Sequence, residues 1–95
     1  QSSSTVYHTL FNMPISSDNM IATKMIIEPH SSSSGQLISH NLSEINYVIR
    51  GTATIELNNE KLELKEGDAI YLDSYTNHNI SNETELPLVI FIFFF

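Results

Sequence analysis

The 95-residue sequence contains no cysteine and only four basic side chains, and both shortages narrow its function. Without cysteine the chain forms no disulfide and no thiolate zinc site, so cysteine usage does not indicate whether it is found in an oxidising or a reducing compartment. Eleven acidic residues against four Lys and Arg give a formal net charge of −7. Because gripping a phosphate backbone requires clustered Lys and Arg, we expect no contact between these residues and nucleic acid.

Helical periodicity and targeting signals are also absent. No stretch sustains the period of an amphipathic helix. The N-terminus lacks the basic start and long apolar run of a signal peptide, so we expect a cytoplasmic protein. The apolar run at residues 88–95 is too short to span a bilayer, and we expect no membrane contact. No Gly-rich phosphate loop and no Ser-His-Asp order stand out, so no catalytic residue is predicted.

Short β-forming segments separated by turn signals are what the sequence does contain. The predicted strands are residues 6–10, 21–28, 37–40, 44–50, 52–57, 61–64, 69–72, 78–81 and 88–95. Loops are predicted for residues 11–19, which contain Pro14, and for the serine-rich residues 30–35. This pattern is typical of an all-β fold, a small antiparallel barrel or sandwich. We expect one domain over residues 1–95, with residues 1–5 disordered.

The hairpin predicted for residues 52–64 closes near Asn58. Pairing Leu57 with Leu62 would place Glu56 opposite Glu63. Like charges at opposed positions are mildly destabilising, so this register stays open.

Side-chain alternation along the strand that begins at Glu44 predicts which residues face the interior. If Glu44 points inward, Asn46 and Val48 do so too, and Arg50 shares their parity. Arg50 precedes a turn glycine, so it either reaches a ligand carboxylate from the barrel rim or lies at a solvated strand end. The opposite face then carries Ile45, Tyr47 and Ile49. A monomer that exposed these side chains would be prone to association or aggregation. The N-terminal strands, a partner subunit or both must cover them, and we expect a homodimer.

Three positions carry the candidate chemistry, namely His40, Glu44 and His78. Strands bring distant residues together, and two imidazoles with one carboxylate are a competent set for a divalent transition metal. The alternative is a buried His hydrogen-bonded to a carboxylate with no metal present. Tyr71 begins the segment that leads to His78, where it either lines a pocket mouth or forms an ordinary turn.

The first of the two stretches that hold these residues contains His40-x3-Glu44-x6-Gly51. This spacing resembles the second half of the first motif of the cupin superfamily, G-x5-H-x-H-x3/4-E-x6-G. Ile38 stands where that motif has its first His. Because the usual metal site of the family uses three His and one Glu, one of its ligands is missing here.

The second stretch has Gly67, His78 and Asn82 in register with the second cupin motif, G-x5-P-x-G-x2-H-x3-N. Asp73 and Tyr75 replace the Pro and the Gly of that motif. Together the two stretches resemble cupins over most of the chain, which implies a double-stranded β-helix, or jelly roll.

Residues 47–51, YVIRG, and residues 71–74, YLDS, carry a closer resemblance. Both are similar to the C-terminal cupin domain of Xre-type helix-turn-helix transcriptional regulators. In that subgroup the cupin domain is a sensor that binds a small molecule and dimerises. Contact with DNA belongs to an N-terminal helical domain, so the chain is either a fragment of a longer regulator or a stand-alone cupin.

This resemblance implies a ligand-sensing domain of a bacterial transcriptional regulator, with the small molecule bound inside the barrel. The residues expected to contact that ligand are Asn46, Val48, Arg50 and Tyr71. The alternative is a small metal-dependent enzyme, a dioxygenase or an isomerase. In that case Zn, Fe, Mn or Ni would be held by His40, Glu44 and His78. A storage or structural cupin with an unused pocket is a third reading.

Overall fold

The computed structural model describes residues 5–15, 18–33 and 42–95, with side chains described from Ile21 onward. These residues form nine strands: β1 (Thr5–Ile15), β2 (Asp18–Ile27), β3 (Ser31–Ser32), β4 (Glu44–Arg50), β5 (Ala53–Glu56), β6 (Lys61–Leu64), β7 (Ala69–Leu72), β8 (Asn79–Asn82) and β9 (Leu88–Phe94). Within these ranges no helix is long and apolar enough to cross a membrane.

Two antiparallel sheets account for all nine strands of the described chain. One has the order β1-β2-β9-β4-β7 and the other has the order β3-β8-β5-β6. From β2 onward the chain repeatedly crosses from one sheet to the other, which is the connectivity of a jelly roll. The all-β antiparallel fold predicted from the sequence is therefore confirmed.

Apolar side chains from both sheets fill the space between them. The core consists of Met25, Ile27, Val48, Ala53, Ile55, Ile80, Leu88, Ile90 and Ile92. Burying one large aliphatic side chain stabilises the fold by about 1.5–3 kcal/mol. Alternate positions of β2, β4, β5 and β9 supply most of this core, as the period of a β-strand requires.

Strand β4 has the predicted bounds and nearly the predicted faces. Glu44, Asn46 and Val48 are buried, and the residues between them are exposed. Arg50 departs from the alternation because a β-bulge interrupts the pairing of β4 with β9, and it lies at a solvated strand end, one of the two positions expected for it. Val48 lies opposite Ile90 but Arg50 lies opposite Val89, and Arg50 is exposed. A bulge adds one residue to one strand, and that reverses the face of the residues beyond it.

The outward face of β4 is not covered by any strand among the residues that the structure describes. Its apolar side chains are 38% exposed at Ile45, 44% at Tyr47 and 44% at Ile49. Strands β1 and β2 do not cover this face, because they extend the same sheet sideways beyond β9. Of the two covers expected from the sequence, the N-terminal strands are thus excluded for this face.

Two loop predictions are wrong. Residues 11–19 were expected to form a loop, but β1 continues through Pro14 to Ile15 and β2 begins at Asp18. Strand β1 is at the edge of its sheet, where a proline without an N–H is tolerated. Ser31 and Ser32 belong to a short strand that pairs with β8. The strand predicted for residues 37–40 lies outside the described residues.

The β5–β6 hairpin is confirmed, in a register that avoids the like-charge pair. Glu56 lies opposite Lys61, and Glu63 lies opposite Thr54. Opposite charges at facing positions stabilise a strand pair modestly.

Asn82 at the end of β8 connects the β8–β9 turn to the end of β2. Its Nδ2 donates to the Ile27 carbonyl at 3.0 Å and to the Leu86 carbonyl at 2.7 Å. Its Oδ1 accepts from the backbone N–H of Thr84 at 3.0 Å and from the Thr84 hydroxyl at 2.7 Å. This fully buried amide therefore fixes the β8–β9 turn against the end of β2.

Candidate functional site

Glu44 and His78 meet between the two sheets although 34 positions separate them in the sequence. Glu44 is the first residue of β4 and points inward, and His78 directly precedes β8 in the opposite sheet. His78 Nε2 lies 3.3 Å from Glu44 Oε1, and their side chains are 7% and 2% exposed. The structure thus brings two of the three predicted metal ligands together. The third, His40, lies outside the described residues.

The backbone carbonyl of Thr76 fixes the orientation of the His78 ring. His78 Nδ1 lies 2.8 Å from this oxygen. A carbonyl oxygen only accepts hydrogen bonds, so Nδ1 carries the proton and Nε2 faces the Glu44 carboxylate. Two lone pairs would repel each other there. A proton or another cation on Nε2 is therefore required between the two groups.

The protonated form of His78 is stabilised by this arrangement. The hydrogen bond from Nε2 to Glu44 raises the pKa of His78 above its usual 6.5, and burial opposes the rise. The Thr76 carbonyl and the negative charge of Glu44 raise the pKa further. In the absence of a metal, this arrangement favours an imidazolium bonded to a carboxylate over a wider pH range than a free histidine would allow.

Asn46 completes the polar cluster one inward position beyond Glu44. Its Nδ2 donates to Glu44 Oε2 at 2.6 Å. Because the amide must present its N–H to the carboxylate, Oδ1 points away from Glu44. That oxygen is buried and has no hydrogen-bond partner among the residues described. A buried acceptor without a partner calls for a donor from a ligand or a water molecule.

The other three predicted ligand residues lie in different environments. Val48 is fully buried in the apolar core, two positions beyond Asn46. Arg50 is at the opposite end of β4 from Glu44, about 20 Å away along the strand. Tyr71 lies on the outer face, 53% exposed, and its hydroxyl donates to Ser43 Oγ at 3.4 Å. The structure does not bring Arg50 or Tyr71 to the Glu44–His78 pair.

The turn before His78 contains a residue in a strained conformation. Tyr75 has a φ of 65° and is 69% exposed. This is the position at which the second cupin motif has glycine, so the backbone keeps a glycine-like shape that a tyrosine adopts reluctantly. Sequence reasoning missed Thr76 in the same turn. No residue-type signal marks it, because the atom that contacts His78 belongs to the main chain.

Glu44 and His78 are suited to share a metal ion as two of its ligands. The separation of 3.3 Å between their donor atoms matches two ligands that each lie about 2.0 Å from one ion. A histidine whose second nitrogen donates to a backbone carbonyl is also the usual arrangement at metal sites. The described residues contain no group of three His, Cys, Asp or Glu side chains that would hold a metal ion by themselves.

Comparison with known proteins places the chain in a family. The Cupin_2 family, described as a cupin domain, matches residues 23–94. This segment covers most of the chain and includes Glu44, His78 and Asn82. The chain therefore belongs to the cupin family, as the two motifs indicated.

An uncharacterized protein of Methanocaldococcus jannaschii is 45% identical to the chain over 47 residues. The matched segment covers 50% of this chain and 38% of that protein, so the similarity extends over well under half the length of this relative. The name of this relative does not indicate a function.

Two solved structures represent different uses of the same fold. The Cupin_2 domain of an XRE family transcriptional regulator from Enterobacter cloacae superposes with a TM-score of 0.79 and 18% identity, covering 95% of this chain and 94% of that one. A sugar phosphate isomerase of the cupin superfamily from Silicibacter pomeroyi superposes with a TM-score of 0.72 and 17% identity, covering 79% and 49%. At these identities the likeness shows the fold alone.

Proposed function

We propose that the chain is a ligand-sensing cupin domain of a bacterial, cytoplasmic transcriptional regulator and binds a small molecule between its sheets. The observation that carries ligand binding is the buried Asn46 Oδ1, an acceptor without a partner among the described residues. The regulator assignment is supported by the mutual coverage of two domains. The chain and the regulator domain of Enterobacter cloacae cover each other almost end to end.

The polar cluster defines the chemistry of the ligand. Asn46 Oδ1 accepts a hydrogen bond, so the ligand presents a hydroxyl or an amino group to it. Glu44 is held on both sides, by Asn46 Nδ2 at 2.6 Å and by His78 Nε2 at 3.3 Å. These contacts keep the carboxylate in place before the ligand arrives, which lowers the ordering cost of binding. In this proposal Val48, the next inward residue of β4 after Asn46, contacts the apolar part of the ligand.

A metal-dependent enzyme is the second candidate, favoured by the fixed ring of His78. With Nδ1 bound to the Thr76 carbonyl, loss of the Nε2 proton leaves a lone pair aimed at the position beside Glu44 Oε1. In this proposal His40, Glu44 and His78 hold the metal. When bound, Zn, Fe, Mn or Ni would supply a Lewis acid for an oxygen of the substrate. Asn46 then orients the substrate through Oδ1.

We also propose a homodimer built on the outward face of β4. The exposed apolar side chains there are Ile45, Tyr47 and Ile49. No strand of the described chain lies over them. Burying a fully exposed side chain of this size is worth about 1.5–3 kcal/mol, and these are already more than half buried. The side chains of both subunits together therefore contribute roughly 4–8 kcal/mol, which reaches the lower part of an association cost of about 4–15 kcal/mol. Two-fold symmetry is the commonest arrangement for such an interface.

Thermal unfolding in the presence of a library of small polyols, amines and amino alcohols tests the ligand site. A compound that binds in the barrel should raise the melting temperature of the wild type and have a much smaller effect on Asn46→Leu. Asn77→Leu makes the same chemical change at an exposed loop residue and should respond like the wild type. Equal responses of Asn46→Leu and the wild type would contradict the proposed site.

Two measurements separate the regulator from the enzyme. The gene upstream of Gln1 should encode a helix-turn-helix segment if the chain is part of a regulator. Sugar phosphates incubated with the metal-loaded protein and followed by NMR should remain unchanged. Isomerisation that is lost in Glu44→Gln would establish the enzyme and overturn the regulator.

A further inference from the structure

A cleft lies at the end of β4 that is remote from Glu44. Its volume is about 390 Å³, and its lining residues are Arg50, Gly51, Glu66, Leu86, Pro87 and Val89. This volume is within the range of small-molecule sites, about 300–1,000 Å³. Because Glu44 and Arg50 are about 20 Å apart along the strand, the cleft is separate from the Glu44–His78 cluster.

The β-bulge in β4 is what directs Arg50 to this cleft. Continued alternation would have turned Arg50 inward with Val48. The bulge instead places it opposite Val89, whose neighbour Ile90 faces the core. Arg50 and Val89 therefore lie side by side on the wall of the cleft. Bulges often occur beside functional sites, where they redirect a side chain, and the bulge in β4 is consistent with such a role for Arg50.

The cleft presents one cation and one anion that do not neutralise each other. Arg50 forms no ion pair with any residue that the structure describes. Glu66 uses Oε2 to accept a hydrogen bond from the Gly51 N–H at 3.3 Å, and this bond fixes its position. The apolar part of the lining is formed by Leu86, Pro87 and Val89.

We propose that this cleft binds a small zwitterion with an apolar body, of the class of the branched-chain amino acids. The carboxylate of the ligand pairs with the Arg50 guanidinium, which suits planar anions. The ammonium group pairs with Glu66, and the side chain lies on Leu86, Pro87 and Val89. This site is independent of the function proposed for the barrel.

Three related probes test this assignment by ¹H–¹⁵N NMR titration of the full chain. Leucine carries both charges, 4-methylpentanoate lacks the ammonium group, and 3-methylbutylamine lacks the carboxylate. We expect leucine to shift the backbone amides of Gly51, Glu66 and Val89. Each single-charge probe should bind about tenfold more weakly or worse, because each loses one charge-assisted hydrogen bond.

Two substitutions assign the two charges. Arg50→Gln should weaken leucine about tenfold and leave the affinity for 3-methylbutylamine unchanged. Glu66→Gln keeps an acceptor for the Gly51 N–H, so the turn should persist, and it should weaken leucine to the level of 4-methylpentanoate. Lys65→Gln is the control, because it makes the charge change of Arg50→Gln beside the cleft without altering its lining.

Three outcomes would overturn the proposal. Equal binding of all three probes would show that the charges play no part. Shifts at Asn46 and His78 in place of the cleft amides would move leucine to the barrel, and the function proposed above would then stand without the second site. A lower molecular mass for Arg50→Gln in sedimentation would mean that a second copy of the chain occupies the cleft.

Discussion

Replacing Gly51 by alanine should destabilise the protein more than the same change at Gly67. Both residues have a φ that disfavours a side chain, 92° and 89° respectively. Strain at such a φ is worth about 1–3 kcal/mol, and the loss of glycine freedom in the unfolded chain offsets about 0.4–1 kcal/mol. These terms are nearly the same at the two positions, so they cancel in the comparison.

The surroundings of the added methyl group differ between the two positions. A Cβ at Gly51 would lie 2.8 Å from the Pro87 carbonyl oxygen and 3.2 Å from the Leu88 Cα. A Cβ at Gly67 would meet no atom within 4 Å. Since the clashing atoms belong to the backbone of the β8–β9 connection, they cannot rotate away. Forcing an extra methyl group into a packed site costs about 1–3 kcal/mol.

We therefore expect Gly51→Ala to exceed Gly67→Ala by about 1–3 kcal/mol in the free energy of unfolding. For a domain of this size that difference corresponds to about 4–8 °C in melting temperature for each kcal/mol. Urea and thermal unfolding followed by circular dichroism at one protein concentration measure it. Equal destabilisation by the two substitutions would refute the reasoning, because it would show that the β8–β9 connection moves aside without cost.

Three further predictions concern the site and the assembly. Because the folded-state pKa of His78 lies above 6.5, its ion pair with Glu44 should stabilise the metal-free protein fully below pH 6.5. That contribution to the free energy of unfolding should be lost as the pH rises through the folded-state pKa. If the free energy of unfolding depends on pH in the same way in His78→Gln as in the wild type, this prediction is wrong. Any metal that copurifies should be absent from His78→Ala and Glu44→Gln in elemental analysis, and Ile38→His should tighten its binding by adding an imidazole. Stoichiometric metal in both single variants would mean that other residues hold it. Tyr47→Glu should convert the dimer to monomer or aggregate in sedimentation at micromolar concentration, and a wild type that sediments as a soluble monomer would rule the dimer out.

The parts of the fold that alternation governs were predictable from the sequence. Strand β4 and the β5–β6 hairpin follow from period-2 patterns. The sequence left two orientations open for Arg50, since one inserted residue reverses the face and no residue type marks a bulge. The extension of β1 through Pro14 was also not predicted, because a strand tolerates proline when it lies at the edge of a sheet, and the sequence does not show which strand is at an edge.

Within the candidate site, side chains were predictable and their partners were not. Motif spacing identified Glu44 and His78, and parity turned Asn46 toward them. The Thr76 carbonyl belongs to the main chain, so no residue type in the sequence indicates that it accepts a hydrogen bond from His78. Which amide atom of Asn46 lacks a partner among the described residues depends on the orientation of the amide, and the neighbouring Glu44 carboxylate determines that orientation.

The four hydrogen bonds of Asn82 have a consequence for how the molecule opens. Ile27 at the end of β2 and Leu86 in the β8–β9 turn share one donor group, so neither can leave without exposing an unsatisfied amide. Separation of the two sheets at this end is thereby coupled to melting of the turn. Hydrogen exchange should report a single cooperative unit there, with the Thr84 amide as slow as those of β8 although its turn lies near the surface.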